Sequence, residues 1–309
     1  MIQYVRRSLL QVIPSLFIIS FIIFILVYVA GDPVTLMLPE TATQEDRERL
    51  TVALGLDQPF HMQYVQYVTN MLQGDFGTSY VYRQPAFDLV MERLGITLLL
   101  AACSMLVAIV ISIPLGLLAA LYRNSVIDFF ISAISILGKA MPNFWIGIML
   151  ILFFSVTYQI FPVSGSGTIS HLVLPSVTLG VALAAEMTRL IRASVLEVIE
   201  QDFVQTARSK GLVESLVLSR HVFLNALIPV VTIIGLQFPQ LIGGTIVVET
   251  VFSWPGIGRL LLSAMNAKDM SVVQTIVFVI AIITIFTNLL TDMVYRLLDP
   301  RIKYDNQSE

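Results

Sequence analysis

The sequence predicts an all-α integral membrane protein with six transmembrane helices. The chain has 309 residues, of which 56% are hydrophobic and 13% are charged, and its mean hydropathy is +0.84. A soluble globular domain carries about 25% charged residues, so this composition excludes that class. Apolar runs of about 20 residues, the length that crosses a bilayer as a helix, also recur along the chain. Composition and recurring runs together define the fold class.

Six apolar runs are long enough to span the membrane. They cover residues 9–30, 96–121, 129–161, 172–187, 226–248 and 272–297. The first run follows Arg6 and Arg7 and is longer than the core of a signal peptide, so we interpret it as a retained span, with a cleaved signal peptide as the alternative. Lys139 and Pro142 interrupt the third run, which indicates a kinked span preceded by an interfacial piece.

The distribution of basic residues predicts which side of the membrane is cytoplasmic. Six spans place both termini on one side. Eleven of the 18 Lys and Arg residues lie on that side, namely Arg6, Arg7, Arg123, Arg189, Arg192, Arg208, Lys210, Arg220, Arg296, Arg301 and Lys303. Because Lys and Arg accumulate in cytoplasmic loops, both termini are predicted to be cytoplasmic.

Residues 31–95 are too long for a connector and are predicted to form an extracytoplasmic subdomain between the first helix, in residues 1–30, and a core at 96–309. Residues 43–54 begin with a Thr and three acids, which is typical of a helix N-terminus, and Gly55 follows where a helix ends. Residues 64–80 show helical spacing and then a glycine-rich turn. A solvated cap over the spans and a docking site for a soluble partner both fit this segment.

The cytoplasmic loop at about 195–226 contains two predicted short helices. Lys210 and Gly211 give a cation and then a helix-stopping glycine, so the chain is expected to turn there. Pro229 is expected at the start of the fifth span, where a helix begins most easily. One face of the second helix carries most of its apolar residues, which are Leu212, Val213, Leu216, Val217, Phe223 and Leu224. An amphipathic helix on the lipid surface and a protein-docking site both fit this pattern.

No motif for nucleotide binding, hydrolysis or metal binding is present. The chain lacks G-x-x-x-x-G-K-[ST], so we predict that it does not hydrolyse ATP, and it lacks H-E-x-x-H and G-x-S-x-G, which argues against an intramembrane hydrolase. His61, His171 and His221 lie in predicted loops, and the single Cys103 excludes an intramolecular disulfide and a cysteine metal cluster. No dense basic tract indicates nucleic acid as a partner.

Three charged residues fall inside predicted spans. Glu186 and Asp292 lie near the inner ends of their spans and are expected to reach water or a neighbouring arginine. Lys139 lies deeper and faces either a transport pathway or a carboxylate partner. A proton-driven secondary transporter would need paired intramembrane acids and two similar halves, and neither is evident.

Six short motifs follow one another along the chain. They are LGLDQPF at 54–60, QGDFGTSY at 73–80, TARSKGL at 206–212, RHVFLNALIPVVT at 220–232, VVETVFSWPGIGRLL at 247–261 and LLDPRI at 297–302. In these motifs the chain resembles the permease subunit of ATP-binding cassette (ABC) importers, in the dipeptide and oligopeptide branch. The resemblance implies the type I permease fold and the import of di- or oligopeptides, with nickel or metal chelates and glutathione as alternative cargoes.

The resemblance also implies roles for two segments. In this family the loop similar to QTARSKG is the EAA loop, whose short helix fits a cleft on the ATPase subunit. The implied ATPase-coupling residues are Gln205, Thr206, Ala207, Arg208, Lys210, Gly211, Leu212, Leu216 and Arg220. The general Glu-Ala-Ala pattern falls on residues 205–207, so this chain lacks the acid. The family's outer loop is similar to FSWPGIG, which implies an outer gate or partner contact at Trp254, Pro255 and Gly256, with interfacial anchoring by Trp254 as the alternative.

Partners and location are implied in the same way. The expected partners are a second related permease, two ATP-binding subunits or domains, an extracytoplasmic substrate-binding protein and membrane lipid. ATP and Mg²⁺ are expected on the ATPase partners, and no cofactor on this chain. The implied location is the cytoplasmic membrane of a bacterium or archaeon. The sequence identifies neither the cargo nor the residues that line its pathway.

Overall fold

The computed structural model describes residues 12–25, 34, 38, 42–53 and 55–298. Within these residues the chain is helical and contains no β-sheet, apart from one isolated extended pair at Thr78 and Pro85. The all-α prediction is therefore confirmed. Part of the topology prediction rests on residues outside the described ranges, which are Arg6, Arg7, Arg301 and Lys303.

The helices are separated by short connections. They are α1 (Val12–Ile25), α2 (Gln44–Ala53), α3 (Phe60–Leu72), α4 (Ala86–Leu121), α5 (Val126–Ala140), α6 (Asn143–Thr157), α7 (Ile169–Ile199), α8 (Asp202–Ser209), α9 (Glu214–Val251), α10 (Ile257–Asn266) and α11 (Met270–Leu298). Two stretches within them are π-helical, at Ile151–Thr157 in α6 and Val217–Phe223 in α9.

Four of the described helices are each long and apolar enough to cross a membrane, namely α4, α7, α9 and α11. Helices α5 and α6 meet the same test together but are bent by 104°. The bend falls at Met141 and Pro142, where the sequence predicts the interruption. The described part of α1 is apolar but shorter than a span. The described residues thus hold four or five spans, and the predicted number of six is not confirmed.

One compact unit comprises the described residues up to 97 together with residues 255–285. Helices α1 and α3 pack through aromatic rings, and the hydroxyls of Ser20 and Tyr64 lie 2.9 Å apart. Helix α2 begins as predicted, because the Thr43 hydroxyl and the Asp46 backbone N–H are 3.3 Å apart and the Asp46 carboxylate accepts from the Thr43 backbone N–H at 3.0 Å. The predicted turn after α3 is confirmed by φ values of +83° at Gly74 and +81° at Gly77.

The second compact unit comprises residues 98–254 and 286–298, with α7 against α5, α6 and α9. Small residues allow α7 to approach α4 closely. A Cβ built on Gly116 would lie 2.9 Å from the Thr188 carbonyl oxygen, and one on Gly180 would lie 2.9 Å from the Ser104 carbonyl oxygen. Close backbone contact of this kind replaces the hydrophobic driving force that is absent between helices in lipid.

The prediction for Pro229 is wrong, because this proline lies inside α9 and not at the start of a helix. A proline within a helix cannot donate a backbone hydrogen bond, so Pro229 leaves the carbonyl of Asn225, four residues earlier, without its usual donor. In the same turn the Ser194 hydroxyl of α7 donates to the next carbonyl oxygen, that of Ala226, at 3.0 Å. This bond joins α7 to α9 beside the proline.

Candidate coupling loop and outer cleft

Helix α8 lies between the ends of two membrane-spanning helices, α7 and α9, and packs against the π-helical segment of α9. Val204 and Ala207 are buried, so they anchor one face of α8. Most of the predicted coupling residues are exposed, namely Gln205, Thr206, Arg208, Lys210, Gly211, Leu212, Leu216 and Arg220. Ala207 is the exception among them. The sequence prediction also missed Phe203, a large apolar side chain of α8 that is 43% exposed.

The turn after α8 forms where the sequence predicts it. Gly211 has φ +75°, in the left-handed region that favours glycine, and its N–H donates to the Arg208 carbonyl oxygen at 2.9 Å. No atom lies within 4 Å of a Cβ built on Gly211. The left-handed conformation alone therefore favours glycine at this position, since the surroundings leave room for a side chain.

An ion pair closes the turn across Gly211. The Arg208 guanidinium donates to the Glu214 carboxylate from Nη2 at 2.7 Å and from Nε at 3.2 Å. These hydrogen bonds raise the pKa of Arg208 above its ordinary value, so the guanidinium stays charged at any physiological pH. The pair joins the end of α8 to the start of α9.

The predicted apolar face of the second helix is only partly correct. Leu212, Val213, Leu216 and Leu224 are exposed. Val217 and Val222 are the buried residues of the π-helical segment, although Val222 is not among the residues predicted for the apolar face. The prediction assumed 3.6 residues per turn, whereas a π-helix bonds residues five apart and so places positions 217 and 222 on one face.

The start of α5 and the C-terminal part of α7 are joined by ion pairs that the sequence analysis did not identify. The Arg192 guanidinium donates to both carboxylate oxygens of Asp128, at 2.6 and 2.7 Å. Asp128 also accepts from the backbone N–H of Asn124 at 3.0 Å, and Arg123 pairs with Glu200 at 3.0 Å. These contacts fix the helix that leads into α8.

Lys139 was predicted to face either a transport pathway or a carboxylate partner, and the structure gives it a carboxylate partner. Its Nζ atom lies 2.7 Å from an oxygen of Glu186, across the contact between α5 and α7. Glu186 was expected to reach water or a neighbouring arginine, and it pairs with Lys139 while its side chain remains 39% exposed. Asp292 lies in α11 and is exposed. Among the described residues no cluster of three or more His, Cys, Asp or Glu side chains is placed to hold a metal ion.

The FSWPGIG motif at 252–258 forms a tight turn that leads into α10. Trp254 is only 4% exposed, and its backbone N–H donates to the Glu249 carbonyl oxygen at 2.7 Å. The N–H of Ile257 donates to the Thr97 hydroxyl at 2.9 Å. A buried ring does not contact lipid headgroups, so the structure disfavours the interfacial anchoring considered for Trp254.

A positively charged cleft of ≈ 250 Å³ adjoins this turn. It is lined by Tyr82, Arg93, Pro255, Gly256, Arg259, Leu260 and Ser263. Arg93 is half-buried and Arg259 is exposed, and no acidic side chain is among the lining residues in the described part of the chain. The cleft therefore favours a negatively charged ligand or partner group.

Several described helices that are long and apolar enough to cross a membrane, with a short helix exposed between two of them, indicate a multi-pass membrane protein. The chain belongs to the family of binding-protein-dependent transport system inner membrane components, which matches residues 112–304, with the N-terminal region of such components matching residues 1–101. It is a permease subunit of an ABC importer of the peptide family, located in the inner membrane.

Relatives of known name cover the whole chain. The oligopeptide transport system permease protein AppB of Bacillus subtilis (strain 168) is 41% identical over 316 residues, which cover 98% of this chain and 100% of that protein. The glutathione transport system permease protein GsiC of Escherichia coli (strain K12) is 41% identical over 305 residues, with the same coverage of 98% and 100%.

Solved structures show the same fold. An inward-facing form of the MetNI methionine ABC transporter superposes with a TM-score of 0.58 at 19% identity, over 68% of this chain and 96% of that chain. An amino acid ABC transporter with histidines superposes with a TM-score of 0.51 at 16% identity, over 70% and 94% of the two chains. The fold is that of an ABC importer permease.

Proposed function

We propose that this permease subunit imports short peptides, a class that includes glutathione, and that ATP hydrolysis on partner subunits drives it through α8. The cargo class is supported by the names of relatives that are 41% identical over 98% of the chain. Nickel or metal chelates remain the alternative cargo. ATP and Mg²⁺ bind to the two ATPase subunits or domains, and this chain carries no cofactor.

The proposed topology completes this arrangement. The chain crosses the membrane six times with both termini in the cytoplasm, residues 1–30 hold the first span, residues 31–95 form an extracytoplasmic subdomain, and residues 96–309 form the core. A second, related permease pairs with this one and an extracytoplasmic binding protein delivers the cargo. The coupling loop at about 195–226 then lies on the same side as the ATPases.

The proposal that an ATPase docks on α8 rests on the division of this helix into a buried face and an exposed face. Its buried face, at Val204 and Ala207, fixes it to the chain, while its polar face and Phe203 are exposed. A helix that is anchored on one side and exposed on the other transmits a displacement as a rigid body. Nucleotide-dependent movement of a docked ATPase then biases two arrangements of the spans.

Helix lengths favour a protein partner over the lipid surface. The fourth apolar run ends at residue 187 and α7 continues to Ile199, while α9 begins at Glu214 and the fifth run begins at residue 226. Each interval of twelve residues corresponds to about 18 Å of helix. The headgroup region adds only about 5–8 Å on each side of the hydrocarbon core. With α7 and α9 along the membrane normal, α8 lies beyond the headgroup region.

A crosslinking experiment tests the docking directly. In a Cys103→Ser background, Gln205→Cys is placed on the exposed face of α8 and Asn70→Cys on the exposed face of α3 as the control. A thiol crosslinker is applied to membranes that contain all subunits, and products are identified by mass spectrometry. We expect the ATPase to be captured from position 205 and not from position 70. Capture from position 70 alone would overturn both the docking site and the topology.

A substitution at the turn tests coupling. Gly211→Val places a β-branched residue in the left-handed region, which costs about 1–2 kcal/mol and displaces the loop. We expect the protein to insert normally but ATP hydrolysis to continue without uptake. The control is Ser209→Val, since Ser209 is exposed and lies within α8. Uptake per ATP equal to wild type in the Gly211 variant would count against the coupling role.

The outer cleft is proposed as a contact for the binding protein. Its positive charge suits acidic side chains on that partner, and Pro255 and Gly256 lie in its wall. We expect Arg93→Glu to reduce the stimulation of ATP hydrolysis by the binding protein at least tenfold in reconstituted importer. Lys268→Glu makes the same charge change at an exposed position outside the cleft and serves as the control. Equal effects of the two substitutions would exclude a specific contact.

A further inference from the structure

Lys139 and Glu186 form an ion pair at a close contact between two helices of the membrane domain. The Nζ and carboxylate oxygen atoms are 2.7 Å apart, and the side chains are 50% and 39% exposed. A Cβ built on Gly138 would lie 3.4 Å from the Cβ of Ala185, so the helices touch at the neighbouring positions. The pair is held at this contact but remains open on its outer side.

The exposed side of this pair does not suit contact with lipid chains. Lys139 lies ten residues inside the third apolar run, and Glu186 lies one residue before the end of the fourth. Ionisable residues within membrane helices face the interior of the bundle or a water-filled cavity. Half-exposed charges on α5 and α7 indicate that water or another protein lies beside them.

The backbone at the same place gives a second, independent indication. Helix α5 ends at Ala140, one residue after Lys139, and Met141 and Pro142 are extended with ψ values of 134° and 138°. Non-helical backbone at membrane depth occurs only where it is buried in protein or lines a water-filled cavity. Pro142 is exposed in this chain, so its own helices do not bury the break.

We propose that Lys139 and Glu186 lie on the wall of the water-filled route of the cargo and form a site for a ligand that carries both an ammonium and a carboxylate group, as an unblocked peptide does. This rests on the proposed peptide function. The ammonium of the ligand pairs with Glu186 and its carboxylate pairs with Lys139. Such a ligand replaces both partners at once, whereas a ligand with one charge leaves the other side chain unpaired.

Cysteine labelling tests the position on the wall without knowledge of the cargo. In a Cys103→Ser background, Lys139→Cys is compared with Leu137→Cys, which is 60% exposed and lies about 200° around the same helix. Membranes that contain the assembled importer are treated with a charged, water-soluble methanethiosulfonate reagent. We expect position 139 to react at least tenfold faster than position 137. If position 139 reacts as slowly as position 137, the proposal is overturned. Equally slow reaction at the cysteine of Glu186→Cys would overturn it too.

Protection from labelling tests the ligand class. The rate is measured at Ile136→Cys, an exposed position one turn before Lys139, so that Lys139 and Glu186 both remain. Labelling is followed during turnover with the binding protein and either trialanine or its doubly blocked form, N-acetyl-trialanine amide. We expect trialanine to slow labelling at least threefold and the blocked peptide to have no effect. No protection by trialanine, while wild-type importer takes it up with ATP, would overturn the ligand site and leave the proposed function intact. No uptake of trialanine or glutathione by wild type would overturn the peptide function and the ligand class together, while the labelling rates would still decide the position on the wall.

Discussion

The same two helices, α5 and α7, are joined by two ion pairs of different construction. Near the start of α5, Arg192 and Asp128 share two hydrogen bonds of 2.6 and 2.7 Å, and the carboxylate side chain is only 8% exposed. Near the end of α5, Lys139 and Glu186 share one contact of 2.7 Å and are 50% and 39% exposed. The contact between α5 and α7 is therefore held by a buried ion pair near the proposed coupling loop. At the end of α5, where the helix breaks, the ion pair is exposed.

The chemistry of the two cations explains the difference. The planar fork of an arginine matches both oxygens of a carboxylate, so the geometry of the Asp128 pair is specific as well as strong. A lysine ammonium is a point charge on a flexible stem, and it exchanges partners readily. The arginine pair suits a permanent tie between helices, whereas the lysine pair suits a site that opens for a ligand.

The largest expected effect on stability comes from breaking the buried ion pair between Asp128 and Arg192. Asp128→Ala leaves the Arg192 guanidinium and the N–H of Asn124 without their acceptor, which should cost about 3 kcal/mol of unfolding free energy. The measurement is the midpoint of thermal unfolding in mild detergent, with tryptophan fluorescence as the signal. Glu186→Ala is the matched control on the same helix contact. A larger loss from Glu186→Ala than from Asp128→Ala would reverse the comparison.

An intermediate effect should follow from keeping the charge but removing the fork. Arg192→Lys retains the attraction to Asp128 and loses one of two charged hydrogen bonds, which should cost about 1.5 kcal/mol. The same unfolding measurement applies, with Arg189→Lys as the control because Arg189 is exposed on α7. Wild-type stability in the Arg192 variant would mean that charge alone holds the helices together.

The accessible pair should show weak coupling. In a double-mutant cycle with Lys139→Met and Glu186→Gln, the two changes in unfolding free energy should be coupled by less than about 1 kcal/mol. Water screens exposed charges and competes for their hydrogen bonds. The corresponding cycle at Asp128 and Arg192 should give a clearly larger value. Equal coupling energies at the two sites would show that the Lys139 pair is buried in the assembled importer.

The smallest effect on stability is expected at the coupling loop. Arg208→Ala removes an ion pair with Glu214 whose side chains are 40% and 54% exposed. Exposed pairs contribute little because solvent screens them. The unfolding midpoint should stay within the error of the measurement, as in the control Lys210→Ala. A large destabilisation would show that the loop, like the tie at Asp128, is held rigidly within this chain.

Local features of the chain were predictable from the sequence. Apolar runs predicted the long helices, the glycine at position 211 predicted the turn, and Lys139 with Pro142 predicted the break in the third run. Each of these depends on a few adjacent residues and on rules that hold within one helix or one turn. The family likewise followed from short motifs with fixed internal spacing.

Contacts between distant residues were not predictable in this way. Asp128 and Arg192 are 64 residues apart, and nothing in the local pattern marks them as partners. The same holds for the hydrogen bond from the Ser194 hydroxyl to the Ala226 carbonyl oxygen, because these residues are 32 positions apart. The apolar face beyond Gly211 was misplaced because the π-helical segment changes the period on which the prediction relied.

The open surroundings of Gly211 mean that its restriction is one of chirality and not of volume. Since a Cβ would meet no atom within 4 Å, alanine and larger L-residues share the same conformational penalty at φ +75°. A D-alanine introduced by chemical ligation would adopt this φ without strain and would narrow the unfolded ensemble. The hinge of the coupling loop would then be stiffer than the natural one, with its outline almost unchanged.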